Sequence, residues 1–243
     1  RVRKLSDRVQ EIADGLIDSF ASEGQFEALA QYAVPLPLSV IAEQLGVPLG
    51  DLERFRRWTD GFTTQLSGLA QKEDEVEAAK RIVEFQKYFA ERIDEVAREP
   101  RDDILSDLVR ARIEGERPLD VAESLSIIQQ LLVAGNETTA ATIAEGILLL
   151  IRHPEQMAIV LEDEERIPNM IEEVLRLASP THSMWRVVTE DCELGGIEIP
   201  AKSFMMIRYG AANRDEKKFP DPDRFDVLRE NANEQLAFGN GIH

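Results

Sequence analysis

The sequence is poor in cysteine, in positive charge and in long uncharged apolar runs, and each shortage removes a class of protein. Its single cysteine, Cys192, leaves no internal disulfide framework; with no signal-peptide pattern in the chain, the expected compartment is a reducing cytoplasm. Cys192 sits among Glu190, Asp191 and Glu193, ahead of Gly195-Gly196, with no basic neighbour to stabilise a thiolate, so it reads as a bystander. Lys and Arg number 28 against 46 Asp and Glu, a net charge of -18 without any basic block. Nucleic acid and anionic membrane surfaces are therefore excluded as natural partners. No stretch of eighteen residues is both apolar and uncharged, which argues against membrane insertion. Linker-like and low-complexity segments are also missing, so the 243 residues read as the body of one domain.

What is present is helix. The segment from Ile127 to Ile151 is apolar on nearly every side, the pattern of a helix buried through a large protein. Pro118, Leu119 and the pair Asp120 and Glu123 mark its start as a capping box, and His153-Pro154 its end. At 1.5 Å per residue this rod is about 48 Å long. Its one polar break is Ala134-Gly135-Asn136-Glu137-Thr138-Thr139. A hydroxyl at Thr138 can bond the carbonyl of Ala134 four residues back and loosen the helix there.

Before this axle, apolar spacing predicts a helix through Leu5, Val9, Ile12, Leu16 and Phe20, and another from Pro35 to a stop at Gly46-Val47-Pro48. Two further helices, carrying Leu52, Phe55, Phe62 and Leu66, then Ile82, Phe85, Phe89, Ile93 and Val96, form an antiparallel pair. Gly61 and Gly68 weaken the case for a straight rod in the first of these. A short helix runs from Asp102-Asp103 to Gly115. After the axle come helices through Met157 and Leu161 and from Pro168 to Ala178. On the latter, Glu173 and Arg176 lie opposite the apolar stripe and read as an ordinary surface ion pair. From Pro180 short extended pieces around Val187, Ile197-Ile199 and Phe204-Tyr209 suggest a small sheet, followed by an irregular stretch.

Taken in order, Ala134-Gly135-Asn136-Glu137-Thr138, Glu173-Val174-Leu175-Arg176, Arg224 and Phe238-Gly239-Asn240-Gly241-Ile242-His243 resemble the motifs of the cytochrome P-450 family, the haem-thiolate monooxygenases, in the style of its soluble bacterial members. The resemblance implies a mainly α P-450 fold with a long central helix and a small β-sheet region, binding haem b. It implies that Ala134 and Gly135 open space for the porphyrin and that Glu137 and Thr138 manage protons for dioxygen activation. Phe238, Gly239, Gly241 and His243 would belong to the haem loop, and Arg186, like His243, would hold a propionate, since a planar guanidinium suits a carboxylate. Glu173, Arg176 and Arg224 would form a buried structural triad, which replaces the surface reading of that pair. His182 and Met184 would line the substrate pocket, although packing serves either equally well; Phe62 and Leu66 are further pocket candidates, but an aromatic stripe at their spacing reads first as core.

The resemblance also places the axial cysteine two residues past His243, so no residue of this chain is assigned to the metal. It suggests that the chain is the central part of such a domain, lacking its N-terminal portion and cysteine segment and inactive alone. The implied function is monooxygenation of a small organic substrate by dioxygen, with electrons from a ferredoxin-type or flavin partner, by a protein monomeric when complete. Peroxygenase or isomerase chemistry on the same scaffold, and a non-catalytic helical binding module, stay open.

Overall fold

The structure, a computed structural model, describes residues 5–67, 70–113 and 115–241, with the backbone alone of residues 49 and 67. Two compact units divide the chain, Arg1–Ala140 and Ala141–His243.

In the first unit, helix α1 (Ser6–Ala21) leads through a π-helical turn to α2 (Pro35–Gln44). Pro35 opens α2 because the first turn of a helix needs no amide donor. It closes as expected at Gly46: the Val47 amide reaches back to the Ala42 carbonyl at 2.8 Å, and Gly46 takes φ +67°. Helices α3 (Leu52–Ser67) and α4 (Lys72–Arg98) pack antiparallel through Phe55, Trp58, Phe62, Phe85 and Phe89, all buried. Phe62 and Phe85 meet edge to face at 5.0 Å. α3 runs unbroken through Gly61; a Cβ there would stand 3.1 Å from the Arg81 Cβ, so the glycine lets α4 approach. Gly68 lies outside the described residues.

Helix α5 (Ile104–Arg110) is capped by Asp103, whose side chain accepts from the Ser106 amide at 2.7 Å. It stops short of the Gly115 predicted for it, because two short strands, β1 (Arg112–Ile113) and β2 (Arg117–Pro118), pair antiparallel after it. Strands of two residues leave no readable alternation. The long helix α6 (Val121–Arg152) then starts in the first unit and ends in the second. Its capping box forms as read: the Glu123 amide donates to Asp120 at 2.8 Å and the Asp120 amide to Glu123 at 2.9 Å. The expectation that α6 is enclosed on nearly every side is corrected. Its buried residues are one row of every fourth position, Ser124, Ile128, Leu132, Asn136 and Ala140, while Ile151 is 67 % exposed. Within the first unit, Ile128 and Leu132 join the core of α2 to α5.

The second unit holds α7 (Pro154–Glu162) and α8 (Ile167–Ala178), then β3 (Met184–Val187), β4 (Cys192–Leu194), β5 (Ile197–Ile199) and β6 (Phe204–Ile207). β3 pairs antiparallel with β6, setting Arg186 opposite Met205. β4 and β5 form a hairpin whose two-residue turn, Gly195-Gly196, has φ of +61° and +81°, the sign a tight right-twisted hairpin demands. A one-turn helix, α9 (Tyr209–Ala212), precedes an irregular meander. The core here is Val174 and Leu177 of α8 with Phe225 and Val227 of the meander. Among the described residues, no helix is long and apolar enough to cross a membrane.

Candidate functional site

In the first unit the polar break of α6 separates into two faces. Gly135 and Asn136 turn inward, whereas Ala134 and Glu137 are exposed and Thr138 is half-buried. The Thr138 hydroxyl donates to the Ala134 carbonyl at 2.7 Å, the back-bond expected from the spacing. Glu137 Oε1 accepts from the hydroxyl of Thr63 on α3 at 2.6 Å, a partner that sequence reasoning missed. Asn136 is 5 % exposed, and its Oδ1 has no partner among the described residues.

Gly135 was expected to make room for a porphyrin together with Ala134. Within this unit it makes room for α2: a Cβ at Gly135 would lie 2.7 Å from Ile41 Cδ1. The small residue on the open face is Ala134. Of the expected pocket residues, Phe62 is sealed in the aromatic core at 1 % exposure, and Leu66 is 70 % exposed. Both lie on nearly the same side of α3, one turn apart, so they differ in how far the packing extends along the helix rather than in direction.

The second unit contains the charged cluster. Glu173 and Arg176 are fully buried, one turn apart on α8, and meet as a two-pronged pair, Nε to Oε2 at 2.7 Å and Nη2 to Oε1 at 2.8 Å. Arg176 spends its remaining donors on meander carbonyls: Asn213 at 2.8 Å, Pro222 at 2.7 Å and Arg224 at 3.2 Å. All five of its N–H groups are thus satisfied. The surface reading of this pair fails because the meander wraps the polar side of α8.

The third member is not the arginine expected. Arg224 points its guanidinium outward, 62 % exposed and 3.9 Å from Asp226, and contributes only its carbonyl. Arg229 takes the place: its Nε donates to Glu173 Oε1 at 3.0 Å, and its other nitrogens hold the carbonyls of Pro220 at 2.8 Å and of Asp221 and Arg224 at 3.1 Å. The physical reason is the path of the meander after Phe225: a turn that the Arg229 amide closes onto the Asp226 carbonyl at 3.0 Å leaves Phe225, Val227 and Arg229 buried and Leu228 and Glu230 exposed. One carboxylate between two guanidiniums, each tied to backbone oxygens, is an anchor for the meander rather than reactive machinery.

Arg186 on β3 is exposed; its guanidinium donates to the Trp185 carbonyl at 2.9 Å and has no carboxylate partner among the described residues. That donor set suits a carboxylate arriving from outside the chain. His182 and Met184 are exposed beside it in sequence, and the His182 carbonyl accepts from the Gly210 amide at 3.1 Å. Phe238 is 77 % exposed, and Gly239 lies under Tyr209, where a Cβ would come within 3.2 Å of the phenol oxygen. Gly241 closes the described chain, and His243 lies outside it. Cys192 is exposed at a cavity of about 400 Å³ that the hairpin residues Asp191, Glu193, Glu198, Ile199 and Pro200 complete; none of the expected site residues lines it.

The sequence profile of the family described as Cytochrome P450 matches residues 63–243. The chain is 38 % identical to 6-deoxyerythronolide B hydroxylase of Saccharopolyspora erythraea, over all of this chain and 59 % of that protein. It is 39 % identical to cytochrome P450 monooxygenase PikC of Streptomyces venezuelae, over all of this chain and 57 % of that protein. Cytochrome P450 CYP109Q5 from Chondromyces apiculatus, a solved structure, matches with a TM-score of 0.89 and 39 % identity, covering all of this chain and 59 % of the other. The chain thus spans somewhat under three fifths of the length of these curated relatives.

Proposed function

The chain belongs to the cytochrome P450 family, and from that premise we propose that the whole protein is a haem b-dependent monooxygenase, a cytoplasmic monomer that inserts one atom of dioxygen into an organic small molecule. Both units would belong to one catalytic domain, and electrons would come from a ferredoxin-type or flavin protein. Haem, when bound, supplies the redox chemistry by which dioxygen is activated; the residues of this chain supply position, space and protons.

The observation that carries the reading is the open face of α6. Thr138 donates to the Ala134 carbonyl at 2.7 Å, which fixes the direction of its hydroxyl on that face. One residue earlier, Glu137 is exposed and able to exchange protons with water. An alcohol and an acid side by side on a helix form a short relay, and Ala134 keeps the space before them clear. The residues fit the group the family implies: Arg186, without a carboxylate partner among the described residues, would grip a propionate through two parallel hydrogen bonds. Gly239 and Gly241, with Phe238 and His243, would belong to the loop that holds it.

The experiment is Thr138→Ala in the full-length protein, with product and hydrogen peroxide measured per reducing equivalent consumed. Loss of the hydroxyl should divert reducing equivalents to peroxide at the expense of product. Turnover as tightly coupled as in the parent would refute the role of Thr138.

A further inference from the structure

We propose that Thr63 is a positioning residue for Glu137, and that its hydroxyl holds the carboxyl group in either protonation state. This rests on the proton-relay reading of Glu137 and deepens it. Thr63 is half-buried on α3, and its Oγ1 stands 2.6 Å from Glu137 Oε1 and 3.1 Å from the carbonyl of Thr59. A hydroxyl owns one proton and two acceptor lone pairs, so it serves one of these oxygens as donor at a time. Facing the ionised carboxylate, Thr63 donates to it; an O–H to carboxylate bond of this kind runs at about 2.5–2.7 Å. Facing the protonated acid, Thr63 turns its proton to the Thr59 carbonyl and accepts from Glu137 instead.

Only a hydrogen rotates between the two states. The heavy atoms can stay in place, because both oxygens already lie within hydrogen-bond distance of the one Oγ1 position. Thr63 neither gains nor loses a net proton: the proton Glu137 passes along the open face is replaced from solvent. A lysine or arginine at this position would hold the anion alone and favour it, and a valine would hold neither form. The exposed carboxyl is thereby kept at one address on α6 while its proton comes and goes.

The test uses full-length protein carrying Thr63→Val, Thr63→Ser or Glu137→Ala. Two quantities are read: peroxide released per reducing equivalent, and the infrared carboxyl bands of Glu137 in the resting protein, assigned by difference with Glu137→Gln. Thr63→Val should shift the Glu137 bands and raise peroxide toward the Glu137→Ala level, with substrate KM held within about twofold, the mark of an effect on the reaction rather than on binding. Thr63→Ser, which keeps the hydroxyl, should restore both readouts. Parent-like bands in Thr63→Val, or a Thr63→Ser variant that behaves like valine, would overturn the proposal. Tight coupling in Glu137→Ala would instead remove the relay reading, and the infrared bands would still decide whether Thr63 holds the acid.

Discussion

Replacing Arg229 by alanine should cost far more than replacing Arg224, although the two lie five residues apart in the same meander. The Arg229 side chain is 7 % exposed and gives four hydrogen bonds, one to Glu173 and three to backbone carbonyls. Truncation leaves Glu173 compensated by Arg176 and by the Asp226 amide at 3.1 Å, so the carboxylate itself stays neutralised. It strips the part-buried Pro220 carbonyl of the Arg229 donor, at about 1–3 kcal/mol, while the Asp221 carbonyl keeps the Arg224 amide at 3.0 Å. Adding the charge-assisted hydrogen bond to Glu173, about 1.5–3 kcal/mol, gives a loss of about 3–5 kcal/mol, a large share of a total stability of about 5–15 kcal/mol. Arg224→Ala removes an exposed side chain and keeps the carbonyl that both buried arginines use, so its effect should stay within about 0.5 kcal/mol. Equilibrium urea unfolding of the two full-length variants, followed by circular dichroism, measures the difference. Arg229→Lys should fall between parent and alanine, because an ammonium keeps the charge but loses the fork. Equal losses from Arg224→Ala and Arg229→Ala would refute the assignment of the triad.

Glu173→Ala leaves two buried guanidiniums without their shared carboxylate and should yield little haem-loaded protein; normal haem content per chain would count against the anchoring role. Gly135→Ala gains up to about 1 kcal/mol of helix propensity but places a methyl 2.7 Å from Ile41 Cδ1, an overpacking of about 1–3 kcal/mol. The variant should lower the melting temperature, and adding Ile41→Val, which removes that atom, should recover most of the loss. Glu123 has its pKa lowered to about 2, chiefly by the hydrogen bond from Arg117 at 2.7 Å and then by the Asp120 amide. Its contribution to stability is therefore complete above about pH 4.5, its unfolded value, and is lost as pH falls toward 2. Stability curves of the parent and Glu123→Gln should differ above pH 4.5 and converge toward pH 2; a gap constant with pH would refute the ion pair.

Where a local chemical rule applied, the sequence was readable. Pro35, Gly46, Asp103 and the Asp120–Glu123 box mark helix ends because each meets a stereochemical or hydrogen-bonding need within four residues, and the Thr138 back-bond is equally local. The Glu173–Arg176 pair showed its spacing but not its burial, because burial depends on a meander without periodicity. Resemblance pointed there to Arg224, and side-chain direction decided for Arg229. A partial signal was present: apolar Phe225 and Val227 stand two apart and 229 continues that alternation, although a turn rather than a strand carries it. Thr63 and Ile41 had no such signal. Their importance comes from what α3 and α2 lay against α6, and a lone sequence does not show which helix faces touch. Gly135 illustrates the same limit, since a glycine in a helix announces a close neighbour without naming it.

The ring of carbonyls around Arg176 also has a consequence in time. Arg176 leaves the ribosome 46 residues before the Pro222 carbonyl it holds, and Glu173 leaves 56 residues before Arg229. At a synthesis rate of about 5–20 residues per second, the pair waits roughly 3–11 s for its last partner. During that wait α8 is a helix with a wet charged side, and Val174 and Leu177 are without Phe225 and Val227. The late segment closes both at once, so the newest part of the chain acts as the latch on an older one. A chain that stalls or errs between residues 213 and 229 keeps a hydrated charge pair beside exposed apolar surface, a state that quality-control machinery can distinguish from the finished protein.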